Sequence, residues 1–259
     1  MTINTDINVL GSLPDLNLIS LFLNDSIESL NKSGGHRSYT AIKAEKSVQR
    51  FEKAITGTLI NFKNKELEHI FRSIVSTESI SNDSLFLIFL NASINNELLN
   101  YLNESVFFPA LYSGRVGIKT MEVTACLNDL KQIESDLQKW SDSTIETTAS
   151  KYLTLLKKFN FMEGSINKTI AHTYLNDKMF VIFIYWLLTV EEKPNVLESL
   201  WLKYCFLEKQ SFKERVMQKK FSKYYNLNFN GDRMKIEPII SYQNIYNELT
   251  KSWIDYKSN

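Results

Sequence analysis

Along most of the chain apolar residues recur at steps of three and four, which places them on one side of an α-helix; period-two alternation is confined to short stretches. The clearest stripe lies within 140–174, where Ile145, Ala149, Tyr152, Leu156 and Phe159 follow at steps of four, three, four and three. Ser143 with Glu146 has the spacing of a capping box, so the helix is expected to start there. It should end near Asn160, ahead of Gly164 and the polar Ser165, Asn167 and Lys168. Residues 160–163 and 169–174 are then expected to pair as a short hairpin with Asn167 and Lys168 at its tip. Helix followed at once by hairpin is the order of the second half of a winged helix-turn-helix.

Before this stretch the pattern predicts a first helix capped by Asp15 and running through Leu16 to Ile27, a turn at Ser33, Gly34 and Gly35, and a helix over 38–62. Further helices are expected at about 65–76, 83–94 and 96–107, the second capped by Asp83 or Ser84 and fully buried because LFLIFL is apolar on every side. Phe107, Phe108, Pro109, Tyr112, Ser113 and Gly114 interrupt the pattern, which sets a domain boundary near 113 and gives domains 1–113 and 114–259. A helix over 119–139 supplies the scaffold that a recognition helix needs in front of it. After the hairpin, Asp177 is expected to cap the helix FVIFIYWLL, and Pro194 to precede a second apolar helix through Val196, Leu200, Trp201, Tyr204 and Phe206. A basic helix over 209–223 follows, then a hairpin about Asn230-Gly231, where both residues tolerate positive φ, and a last helix over 242–253. The fold class is mainly α: an N-terminal helical bundle, then a winged-helix-like part with short β-hairpins.

Composition agrees with this. The 259 residues are 44% apolar with 8 Gly and 4 Pro, a globular and helix-rich balance. Cys126 and Cys205 stand alone, so neither a disulfide framework nor a metal-ligand spacing is suggested, and a reducing compartment is expected. The start, MTINTDINVLGSLPD, lacks a basic segment followed by an apolar one, which predicts a cytoplasmic protein. The longest apolar run, 179–188, is half the roughly 20 residues a spanning helix needs, so no membrane partner is expected. The histidines at 36, 69 and 172 make no metal-binding pattern, and neither a phosphate-binding loop nor a nucleophile elbow is present. Glu66 with Glu68, or Asp136 with Asp142, are carboxylate pairs of a kind that is usually just solvated. The expectation is a non-enzyme without metal or cofactor.

A formal net charge of +1 does not decide for or against nucleic acid, because only local clusters meet a phosphate lattice. Three windows are basic. Between Arg37 and Lys65, seven cations (Arg37, Lys43, Lys46, Arg50, Lys53, Lys63, Lys65) face Glu45 and Glu52; between 209 and 223, six (Lys209, Lys213, Arg215, Lys219, Lys220, Lys223) face Glu214. The third is the polar side of the 140–160 helix, with Thr147, Thr148, Ser150, Lys151, Thr154, Lys157 and Lys158, short donors and cations of the kind that meet phosphates and base edges. An ordinary amphipathic surface helix explains the same residues, and Glu146 and Glu163 favour that. From Glu97 to Glu146 acids outnumber bases by eight to four, a surface expected to face away from DNA.

The segment WSDSTIETTASKYLTLLKKFNFMEG, through Trp140, Ser143, Thr144, Ile145, Tyr152, Leu153, Leu156 and Gly164, resembles the BrxA family, accessory proteins of BREX bacteriophage-exclusion systems. The buried SLFLIFL helix and the basic helix near Arg50 extend the resemblance over 40–175, while Asn160 and Phe161 depart from the family pattern. The resemblance implies a NusB-like helical N-terminal part, a winged-helix-like C-terminal part, and binding of double-stranded DNA within a defence system that supplies further protein partners. It assigns no residue a role. The candidate contacts are those of the basic windows: Lys46, Arg50 and Lys53; Thr147, Lys151, Thr154 and Lys158, with Lys168 at the wing; and Lys213, Lys219 and Lys220. A protein-binding adaptor within the same system is the alternative.

Overall fold

A computed structural model describes residues 3–14, 16, 19, 45–75, 80–165 and 168–257. The expected cap at Asp15, most of the helix through Ile27, the Gly34-Gly35 turn, the 38–44 part of the next helix and Asn167 at the hairpin tip lie outside the described residues. The chain forms two compact units. Met1–Asn61 and Val75–His172 make the first, and Phe62–Ile74 and Thr173–Asn259 the second. Ser113 lies inside the first.

The first unit begins with α1 (Asp6–Ser12) and α2 (Glu45–Ala54), the latter continuing as a π turn over Ile55–Leu59. α4 (Asn82–Asn95) is buried from Ser84 to Ser93 on all sides, as its unbroken apolar run requires. The side-chain amide donors of its Asn91 and Asn95 have partners, while the Asn91 Oδ1 has none among the described residues. Asn91 donates to Leu59 O (2.8 Å) and Asn61 O (2.9 Å), and Asn95 to Thr58 O (3.1 Å) and Asn61 O (2.8 Å), satisfying carbonyls at the end of the π turn. α5 (Glu97–Leu102) leads through a second π turn, Asn103–Phe107, into α6 (Phe108–Tyr112). The break expected at Phe107 to Pro109 is therefore a continuation, with Pro109 in the first turn of α6 directly after the π turn.

α7 (Thr120–Ile133), α8 (Ser135–Gln138) and α9 (Asp142–Lys158) follow. All five stripe residues of α9 are buried. Phe89 of α4 meets Phe159 at 5.6 Å and Phe161 at 4.5 Å between ring centroids, and Tyr152 donates to Asn103, which donates to Ser93. This buried polar chain ties α9 to α4 and the π turn. Asn160 takes a left-handed φ of 62° and closes α9 as a Schellman motif, with Asn160 N–H on Lys157 O and Phe161 N–H on Leu156 O, both 3.0 Å. Asparagine at 160 thus serves as the helix stop. The hairpin is shorter than expected: β1 (Met162–Glu163) pairs antiparallel with β2 (Thr169–Ile170). Gly117 bridges to Thr169 and Ile170 N–H donates to Val116 O at 2.8 Å, so a segment ahead of α7 lines the other edge of β2.

The second unit packs α3 (Lys65–Ile74) against α10 (Asp177–Val190) and α12 (Ile245–Lys257). α10 is buried from Met179 to Leu187. The helix expected after Pro194 is instead two 3₁₀ turns, Val196–Glu198 and Leu200–Cys205, because Ser199 between them is extended and its side chain caps the second turn at Trp201 N–H. α11 (Lys209–Val216) stops short of 223, with a 3₁₀ turn at Lys219–Phe221. β3 (Tyr225–Phe229) and β4 (Met234–Pro238) form the second hairpin, and only Gly231 of the Asn-Gly pair uses positive φ (93°). Among the described residues no helix is long and apolar enough to cross a membrane.

Candidate nucleic-acid interface

The N-terminus of α9 is set by Ser141, whose hydroxyl accepts from Thr144 N–H at 3.3 Å, so the helix starts one residue before the expected cap, Ser143. α1 covers one flank. Asn8 donates to Thr148 Oγ1 at 3.0 Å, and a Cβ on Gly11 would stand 2.6 Å from Lys151 O, so only glycine allows this approach. Thr148, expected on the polar side, is consequently buried. The Lys158 ammonium donates to Leu10 O (3.2 Å), Gly11 O (3.0 Å) and Leu13 O, closing the carbonyl end of α1.

What remains open on α9 is a strip of Ser143, Glu146, Thr147, Ser150 and Lys157, exposed, with Thr154 half-exposed among them. Its charge is graded. Asp142 stands in the first turn and Lys157 in the last, each at the helix end whose dipole favours it, with Glu146 and Lys151 between them. Lys168, from the hairpin, reaches back to the C-terminal half of α9, with Nζ 3.4 Å from Thr154 Oγ1. Its pKa is pushed down by burial and then by the ammoniums of Lys157 and Lys151. Lys157, outside the candidate set, donates to Gly164 O at 2.8 Å. The polar face had contained it; its closeness to Lys168 depends on the turn that follows the helix, which residue spacing does not report.

The other two windows are less concentrated than their sequences. Lys46, Arg50 and Lys53 are exposed along α2, at steps of four and three and therefore on one side. Lys63 and Lys65 belong to the second unit, where Lys63 pairs with Glu192 at 3.0 Å. In that unit too, Lys213 stands over the Phe229 ring (5.4 Å to centroid), Lys220 is paired with Asp177, and Lys219 is exposed. Arg215 is buried. It donates to Leu175 O (2.6 Å) and Asp177 Oδ1 (3.1 Å) and stacks on Phe180 and Tyr174. Among the described residues no His, Cys, Asp or Glu group of three or more is arranged to hold a metal ion.

The family described as BrxA matches residues 44–184, more than half of the chain and the part that holds α2, α9 and the first hairpin. The chain belongs to the BrxA family. Membership implies a component of a BREX system. No curated protein and no solved structure matches the chain. The BrxA match ends before α11, so Lys213, Lys219 and Lys220 lie beyond it.

Proposed function

We propose that this BrxA-family protein is a non-catalytic accessory component that binds double-stranded DNA, chiefly through phosphates and with little sequence selectivity. The observation that carries this reading is that Lys168 of the hairpin reaches Thr154 Oγ1 at 3.4 Å, on the stretch of α9 where Lys151 and Lys157 lie three residues to either side. The order Val116-Gly117 edge, α7, α8, α9, β1, β2, with the edge segment paired to β2, supports a winged helix-turn-helix with α9 as recognition-type helix and the hairpin as wing. The NusB-like character of the bundle rests on the family resemblance. Hydroxyls and lysines, without an Arg or Asn fork on the open strip, suit phosphate oxygens better than base edges. Lys46, Arg50 and Lys53 are a second group in the same unit, and Lys213, Lys219 and Lys220 the least free.

Fluorescence anisotropy with a random-sequence duplex across a salt series tests the reading. The logarithm of affinity is expected to fall linearly with that of salt at about −0.9 per neutralised phosphate, roughly −4.5 for five contacts. Changing Lys151, Lys157 and Lys168 to Glu together removes about 2.7 of that slope. Lys213, Lys219 and Lys220 to Glu has the smaller effect. No binding to duplex even at low salt refutes the proposal.

An adaptor role has one observation of its own: Val116 (78% exposed) and Met121 (70%) stand out from the first unit near the start of α7. Capture of a stable BREX partner at a salt level that abolishes duplex binding, lost in Met121→Lys, is the result that would replace the DNA reading.

A further inference from the structure

Each lysine of the α9 cluster has an ordinary explanation except one. Lys157 is a last-turn cation favoured by the helix dipole, and Lys151 lies on the flank beside α1. Lys168 is different. It comes from the hairpin, it is half-buried, and the charges that act on its ammonium are Lys157 and Lys151, both repulsive. No carboxylate pairs with any of the three among the described residues, and the Thr154 hydroxyl, whose own proton goes to Ser150 O at 2.9 Å, can offer only a lone pair. The Lys168 Nζ stands on Thr154 Oγ1, and Lys151 and Lys157 lie three residues to either side of Thr154 on α9, so three cations share one stretch of the helix surface, a local deficit of negative charge that a bound oxyanion removes.

We infer that Lys151, Lys157 and Lys168 form a seat for a single phosphate group between the C-terminal half of α9 and the wing. The inference deepens the duplex reading and rests on it for the source of the group, an internucleotide phosphodiester. Two features select tetrahedral phosphate over a planar carboxylate: the donors arrive from two elements, and all are ammoniums, which act as point charges without the planar fork of a guanidinium. The backing of the seat is close. Gly117 lies under the Lys168 backbone, where a Cβ would come 2.5 Å from Lys168 O, so the wing is held against the edge segment with no room for a side chain. Phosphate bound here would fix the wing to α9 by charge as well as by backbone pairing.

The test is NMR of lysine side-chain nitrogens in the full-length protein. It is titrated with inorganic phosphate against chloride of equal ionic strength, then with a short blunt duplex carrying hydroxyl ends, and with the same duplex phosphorylated at its 5′ ends. Expected are joint shifts of Lys151, Lys157 and Lys168 in phosphate but not in chloride, the same shifts with the hydroxyl-ended duplex, and a loss of about tenfold in phosphate affinity in Lys168→Gln. Thr154→Val, isosteric and folded by its unchanged core resonances, weakens phosphate binding less. Phosphate that moves Lys168 no more than exposed Lys46 overturns the seat. Duplex binding that leaves Lys168 unmoved overturns the seat while the DNA reading stands. Phosphate shifts without any duplex binding support the seat and remove the DNA reading. Shifts confined to the phosphorylated duplex overturn the internucleotide assignment in favour of a terminal phosphate.

Discussion

Asp177→Asn is expected to destabilise the second unit by roughly 3 kcal/mol, the order found when one partner of a largely buried ion pair is removed. Arg215 is only 7% exposed, and Asp177 is the carboxylate that its guanidinium reaches, at 3.1 Å. Its Nη1 is already buried with no hydrogen-bond partner among the described residues, so little remains to compensate a lost charge. The neutral amide can keep a hydrogen bond but leaves the cation between two aromatic rings facing a single carbonyl, Leu175 O. Lys220 is the contrast: half-exposed on the other side of Asp177, it contributes at most about 1 kcal/mol, and Lys220→Gln should be nearly silent. The pH dependence follows from Asp177. Burial raises its pKa, but hydrogen bonds and charge from Lys220 and Arg215 outweigh that and hold it below the ordinary 3.8. A depressed carboxyl gives stability that is present in full above the unfolded value and disappears as pH falls through the folded one. Wild type and Asp177→Asn should therefore differ most near neutrality and converge in acid. Urea unfolding followed by Trp186 and Trp201, both in this unit, measures the gap; equal midpoints at neutral pH would contradict the role given to the pair.

Gly117→Val should cost roughly 2 kcal/mol of stability and weaken duplex binding in the same variant. Gly117 does not have positive φ, so the penalty is steric. A Cβ there would lie 2.5 Å from Lys168 O and 3.5 Å from Thr169 Cα, both backbone atoms that cannot swing aside. Either the edge segment lets go of β2 or the hairpin moves, and Lys168 moves with it. Gly57→Ala is the matched control, because a Cβ at Gly57 meets nothing within 4 Å; a change of a few tenths of a kcal/mol in either direction is expected. The signature is loss of affinity with loss of the Lys168 shift in phosphate. Unchanged binding in a folded Gly117→Val protein would show that the wing's position does not matter.

The buried stripe of α9 was legible residue by residue, because period 3.6 is dictated by the side of the helix that meets the core. What covers the other side was not. Thr148 and Lys158 look like solvent residues from spacing, and only the approach of α1, seven residues with a glycine near the end, buries the first and ties up the second. Helix starts were misplaced in one recurring way. At Ser81 and Asn176 the cap precedes the residue expected to act, with Asp83 and Asp177 in the first turn, while at Ser141 it precedes the Ser143 expected from its capping-box spacing with Glu146. Both positions favour Asp, the first by hydrogen bonding and the second by the dipole, so composition alone does not separate them. The basic windows were legible as counts of charge. Which cations are taken up depends on chain returns of 129 residues for Lys63 and Glu192 and 43 for Lys220 and Asp177, or, for Lys213 and the Phe229 ring, on a neighbouring hairpin.

Segment Phe62–Ile74 leaves the first unit for the second, and the chain then returns to the first until His172. On the ribosome this order imposes a wait. α3 emerges with Leu67, Ile70, Phe71 and Ile74 ready for burial, but its partner α10 follows only after roughly a hundred residues, about 5 to 20 s at ordinary elongation rates. During that interval the α3 helix carries an apolar face without its partner, while the helices of the first unit are being made around it. The nascent chain is expected to be open to aggregation and to chaperone capture through α3 during this interval. A fragment ending near His172 would keep that exposed face permanently, so the first unit is best produced with 62–74 replaced by a polar linker.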